Sequence, residues 1–159
     1  MRFNKYRFAK QLRRNDCGPN AIINLMKYMG VKIPYKENYQ RLYNYFKIPT
    51  YGGTHIADLH MFLVKKKIPK SRLVDVIVNP NTYKIAKLVK SDKAILMAFN
   101  QESNKSGHIC LMVGVNKKGF QIVNYCTKKT LKTVAFDKFQ KEVLDFKKAI
   151  FYVYEERNK

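Results

Sequence analysis

Apolar residues recur with two different spacings along the chain, and the change falls near position 90. In "CGPNAIINLMKYMG" (17–30), Ile22, Leu25, Met26 and Met29 follow an i, i+3, i+4, i+7 pattern. That spacing predicts a helix from about Pro19, with Gly30 as its stop. A second helix is predicted over 35–46. Thr54 is expected to cap a third helix that runs to Lys66 and buries Ile56, Leu59 and Leu63. A short helix over 82–89 follows the start signal "NPN". Beyond it, "AILMAF" (94–99) and "HICLMVGV" (108–115) are compact apolar runs suited to buried strands. "FQIVNY" (120–125) alternates, which predicts Phe120, Ile122 and Asn124 on one face. Asn116 to Gly119 reads as a hairpin turn between these last two strands. "TLKTVAF" is predicted as another strand, 137–144 as a helix and "AIFYVYE" as the last strand. Helices first and strands afterwards predict an α+β fold with an antiparallel sheet, in a single domain over 1–159.

The chain has 159 residues, enough to bury a core without disulfides or metals. No repeat, low-complexity tract or Pro/Gly/Ser linker interrupts it. No apolar run approaches the roughly 18 residues of a membrane span. The start, "MRFNKYRFAKQLRRN", is basic but lacks the apolar stretch of a signal peptide. Three cysteines point to a reducing, cytoplasmic setting rather than a disulfide framework. The formal charge of +21 is spread over the whole chain. It suits contact with a polyanion such as nucleic acid, or it reflects the Lys-rich composition of an AT-rich genome. That composition in a compact domain suits a phage or large virus, and hence a host cytoplasm or virion. The residues call for no cofactor and say nothing of oligomeric state.

Thiol catalysis needs a thiolate, a base, a group that orients the base and donors for the oxyanion. Cys17 lies at a predicted helix N-terminus, where free N–H groups and the dipole favour a negative sulfur. Gly18 lets backbone approach a substrate, and Pro19 fits a first helical turn. His108 opens a strand after the polar loop "NQESNKSG". Asn124 lies on the neighbouring strand, where its amide oxygen is placed to fix the imidazole tautomer. Gln11 is the candidate side-chain oxyanion donor, beside the backbone N–H of Cys17. Gly18, Gly52, Gly53, Thr54 and Gly107 are the candidate substrate-contacting positions, although Gly52 and Gly53 are first of all turn glycines. Asp16 reads as a helix cap rather than an acid catalyst. Cys110 and Cys126 read as packing, His55 and His60 as structural or cleft-rim residues. A zinc site from Cys17, His108, Cys110 and Cys126 has the right ligand chemistry, but no C-x-x-C pair supports it, and no metal is expected.

The motif "Q-x5-DCGP", here Gln11 to Pro19, resembles the start of the bacteriocin-processing peptidases, which cut after double-glycine leaders and are papain-like in fold. The resemblance implies that Gln11 helps form the oxyanion hole. "GGTHIADLHMFLVKKKIP" is similar to that family's helix after a G-T/S turn. "AILMAFNQ" followed by "GHICLMVGV" resembles its strand, loop and histidine-bearing strand, which implies a catalytic role for His108. "GFQIVNY" resembles the strand that ends in the third catalytic residue. The family usually has Asp-Pro there, whereas this chain has Asn124-Tyr125. An amide orients an imidazole but stabilises its cation less than a carboxylate. The expectation is a stand-alone cysteine peptidase or isopeptidase, with a small residue such as glycine near the scissile bond. Two alternatives stand beside it: a catalytically silent basic module that binds nucleic acid or another polyanion, and acyl transfer or cell-wall amide hydrolysis by the same residues.

Overall fold

The computed structural model describes residues 8–13, 15–32, 35–46, 54–100, 107–126, 129–145 and 149–157. The elements in chain order are α1 (Cys17–Tyr28), α2 (Tyr35–Tyr45), α3 (Ile56–Lys65), β1 (Ser71–Val78), α4 (Thr82–Lys90) and β2 (Ala94–Asn100). Then come β3 (Gly107–Asn116), β4 (Gly119–Cys126), β5 (Lys129–Val134), α5 (Phe136–Phe139) and β6 (Ile150–Glu156). A π-helical turn, Gln140–Leu144, extends α5. The six strands form one antiparallel sheet in the order β1-β6-β2-β3-β4-β5. This is the α+β architecture with an antiparallel sheet that the order of spacings predicts.

The unbroken apolar runs have a simple cause: both faces of the sheet are covered. In β2, Ala94, Leu96 and Ala98 pack toward α1, α2 and α3, with Ile22, Leu25, Leu59 and Leu63. The alternate residues Ile95, Met97 and Phe99 pack on the other side with α4 and α5, against Ile85, Val89 and Phe139. β3 divides in the same way, with Ile109, Leu111 and Val113 on the α1 face and Cys110 and Met112 on the other. A strand buried on both faces has no polar alternation to show.

Local signals account for most boundaries. Asn81 accepts from the Lys84 N–H and caps α4. The β3–β4 hairpin turns at Lys117-Lys118, where the Asn116 side chain accepts from the Lys118 N–H. Gly30, just beyond α1, has φ +70°, the left-handed conformation that glycine adopts freely. Two expectations fail here. Thr54 does not cap α3: His55 occupies the N-cap position and no side chain caps the helix. Asp16 does occupy the N-cap position of α1 but makes no capping bond, because its carboxylate is drawn elsewhere. β1 is an element the spacing did not predict.

Candidate active site

Cys17 is the first residue of α1 and is buried. Burial pushes its thiol pKa up, the neighbouring Asp16 adds to the rise, and the backbone N–H groups of Ile109, Gly18 and Cys17 oppose it. The sulfur therefore faces the peptide unit that joins His108 to Ile109. Helix start and strand start meet here because α1 lies along β3, and Ile109 and Ala21 share one apolar cluster with Cys17.

His108 is the second residue of β3. Strand alternation sends its ring away from Ile109, toward the face of Phe99, its register partner on β2. The Phe99 and His108 rings meet edge-on with centroids 5.8 Å apart. The imidazole is half-buried and makes one hydrogen bond, from Nε2 to the backbone oxygen of Asn124 at 2.8 Å. A carbonyl only accepts, so Nε2 carries the hydrogen and Nδ1 is left with its lone pair. Burial lowers the His108 pKa, and the Asn124 carbonyl acts against that shift. No hydrogen bond joins the imidazole to the Cys17 thiol. With the thiol shifted up and the imidazole down, the proton rests on sulfur.

Asn124 sits where β4 is irregular. Its φ is +55°, and the β4–β5 register shifts between Val123 and Cys126. The extra residue reverses the alternation. Phe120 and Ile122 face α5, yet the Asn124 side chain turns to the opposite face, against α1. The expectation that all three share a face is thus corrected. The turn also determines which part of Asn124 meets the imidazole. Its side-chain amide donates to Ala9 O at 2.9 Å and to Asn20 Oδ1. The group that orients the ring is the Asn124 backbone carbonyl, not the amide oxygen expected from the sequence.

The segment before the nucleophile is held from several sides. Gln11 donates from Nε2 to Arg13 O at 2.7 Å. Asp16 is fully buried, and its Oδ2 accepts from Arg13 N at 2.8 Å and from the Tyr39 hydroxyl of α2. Burial raises the Asp16 pKa, against the pull of N–H groups in its own turn. Ala9 is gripped by asparagines. Its N–H donates to Asn24 Oδ1 at 2.7 Å, and its oxygen accepts from Asn20 at 3.2 Å, Asn24 at 3.0 Å and Asn124 at 2.9 Å. Asn24 also donates to Asn20 Oδ1 at 2.9 Å.

Gly18 has a different role from the one expected. A Cβ on it would lie 2.4 Å from Thr54 Oγ1 and 2.7 Å from Thr54 Cβ, so its open space is filled by Thr54 rather than offered to a substrate. Thr54 Oγ1 is buried there without a hydrogen-bond partner. Gly107 is exposed at the start of β3. Gly52 and Gly53 lie outside the described residues. His60 Nδ1 is 3.1 Å from the Tyr152 hydroxyl, and His55 is exposed at the start of α3. Cys110 packs on the face opposite the Cys17 cluster, and the Cys126 side chain is outside the description. Among the described residues, no group of three or more His, Cys, Asp or Glu side chains is placed to hold a metal ion. Asn20, Asn24 and Tyr39 were missed by sequence reasoning. The first two carry a signal, since polar residues four apart inside an apolar helix mark a buried face with a polar task.

No protein-family model matches the chain, and a search of curated proteins finds no match. Solved structures do match. A protein described as a C39-like peptidase from Bacillus anthracis superposes with a TM-score of 0.70 at 16% identity, over 98% of both chains. The peptidase domain of Streptococcus ComA, a bifunctional ABC transporter of a quorum-sensing pathway, gives 0.68 at 14% identity, over 93% of this chain and 97% of that one. The fold is that of the C39-like peptidases. A double-glycine-motif protease from an AMS/PCAT transporter, solved with its leader peptide, gives 0.60 at 11% identity, over 92% of this chain and 89% of that one. In the C39-like fold of this chain, Cys17 at the head of α1 and His108 at the head of β3 come to one end of the sheet. Among the described residues, no helix is long and apolar enough to cross a membrane.

Proposed function

We propose that the chain is a cysteine peptidase or isopeptidase whose nucleophile is Cys17 and whose base is His108. The observation that carries this reading is the tautomer. The Nε2–H of His108 is committed to the Asn124 carbonyl, which leaves Nδ1 as a proton acceptor at the strand end where the thiol lies. Catalytic contacts are commonly long before substrate binds. The resting ring is turned toward Phe99, so Nδ1 reaches the sulfur only once the imidazole swings round the head of β3.

As sulfur attacks the scissile carbonyl carbon, its proton passes to Nδ1. The oxyanion takes the backbone N–H of Cys17 and the Gln11 amide, released from Arg13 O. His108 then gives the proton to the leaving amine as the C–N bond breaks. Water, with His108 again as base, hydrolyses the thioester and restores the thiol. The neutral resting pair gives up the preformed ion pair of a more reactive thiolate, so the proton moves to Nδ1 as the sulfur attacks. A glycine beside the scissile bond is what the likeness to the double-glycine-motif protease suggests for the substrate. The reading is tested with a peptide that ends in a Gly-Gly aldehyde. One equivalent is expected to add covalently to Cys17, and Cys17→Ala is expected to abolish both capture and cleavage of a Gly-Gly amidocoumarin peptide. Unchanged cleavage by Cys17→Ala refutes it.

A second reading rests on a different place. A hollow of about 150 Å³ at the end of α3 is ringed by Lys66, Lys67, Arg72 and Arg157, and neither Cys17 nor His108 lines it. Arg72 there is paired with Glu155, and Lys66, Lys67 and Arg157 are the donors the hollow offers a polyanion. Salt-sensitive nucleic-acid binding that survives Cys17→Ala and is lost on Arg157→Ala would make this the principal activity.

A further inference from the structure

We infer that Asn20 and Asn24 are positioning residues which couple the two halves of the site through the single carbonyl of Ala9. The inference rests on the peptidase reading above. Three side-chain amides converge on that oxygen, one of them from Asn124. Such convergence is unusual, because a carbonyl has two lone pairs. Asn20 Oδ1 is the second hub, accepting from Asn24 and from Asn124. All three asparagines are more than nine-tenths buried.

The geometry assigns each bond a task. Asn24 holds both the N–H and the oxygen of Ala9, and so fixes the chain two residues before Gln11. Asn20 and Ala9 hold the Asn124 side chain. That contact keeps residue 124 in its left-handed conformation, and the conformation aims the Asn124 carbonyl at His108 Nε2. Helix α1 therefore carries the nucleophile at its first residue, the group that sets the imidazole tautomer about one turn on at Asn20, and the group that holds the oxyanion segment about two turns on at Asn24. A bond network this buried works as a unit. Sliding any one member moves the others, and misplacement of catalytic groups by an ångström costs on the order of 100-fold in rate.

The test uses the full chain labelled with ¹⁵N-histidine. In the parent, the His108 Nε2–H tautomer is expected to dominate wherever the ring is neutral. In Asn20→Ala the two tautomers are expected to mix, and kcat for the Gly-Gly amidocoumarin peptide is expected to fall about 10- to 100-fold with KM little changed. Ile23→Val, also buried on α1, is the control for mere loss of stability: its tautomer is expected to stay as in the parent. Asn20→Ser, which keeps one acceptor oxygen, gives the same readouts at intermediate size should Asn20→Ala fail to fold. A folded Asn20→Ala or Asn20→Ser with the parent tautomer and parent kcat overturns the inference. The tautomer is read without substrate, so it stands apart from the peptidase reading, which fails instead on unchanged cleavage by Cys17→Ala.

Discussion

Replacing Asn124 by aspartate separates the two ways in which this residue can serve His108. If its side chain oriented the imidazole, a carboxylate would stabilise the cation better and raise activity. The structure demands the reverse. The Asn124 amide donates to two acceptors, Ala9 O and Asn20 Oδ1. A carboxylate there loses both bonds, at about 0.5–1.5 kcal/mol each, and leaves buried acceptors facing a charge, at roughly 1–3 kcal/mol more. Turning the Asn20 amide over only moves the conflict, because Asn24 Nδ2 then meets a donor. The total is about 4 kcal/mol, which at an m-value of about 2 kcal/mol/M is a fall of about 2 M in the urea midpoint. The pH dependence has a definite sign. The new carboxyl is raised in the folded state, since only its neutral form can donate to either acceptor. The native state then holds the proton longer than the unfolded one, so the deficit grows as pH rises. Urea unfolding of Asn124→Asp and the parent at pH 5 and pH 8 measures this, and aldehyde capture by Cys17 reports the site. A variant as stable as the parent at pH 8 that also captures aldehyde faster refutes the backbone-carbonyl role.

Further outcomes follow from single contacts. Gly18→Ala drives a Cβ into Thr54 and is expected to cost about 1–3 kcal/mol; adding Thr54→Gly recovers most of it in thermal unfolding, whereas Thr54→Ala, which keeps the clashing Cβ, does not. Gly119→Ala meets Val134 O at 2.0 Å with φ at +147°, so it combines a backbone clash with strain and should lower the melting temperature well below that of Gly18→Ala. His108 is held neutral by burial, below its ordinary value of 6.5. Its unfolded form takes up a proton first, so stability is whole above pH 6.5 and declines as the pH falls below it. His108→Gln should flatten that part of the stability–pH curve; an unaltered slope would mean the ring titrates normally.

Much of the architecture was legible because it depends on spacing. α1 and α4 follow from apolar periodicity and end signals, and β2 and β3 from apolar runs bounded by polar loops. β1 was not, because "SRLVDVIV" places Arg72 and Asp75 among its valines and lies at the sheet edge, where exposure removes the apolar contrast. Chain order brought out Cys17, His108 and Asn124 as candidates. The part of Asn124 that meets His108 was hidden, because it depends on one left-handed residue that reverses the pleat. Asp16 shows the same limit. Its place before a helix suggests a cap, but Tyr39, distant in sequence, claims the carboxylate.

The strand order bears on when the molecule can become competent. β6, latest in the sequence, is inserted between β1 and β2, with Phe151, Tyr152 and Val153 fully enclosed. Until residue 156 is available, β1 has no ladder partner and one edge of β2 is unpaired. The parts that surround Cys17 all precede β6 in the chain, yet the layer on which they rest closes only when β6 inserts. A chain that folds from its first helix onward therefore cannot complete the sheet beneath Cys17 before β6 docks between β1 and β2.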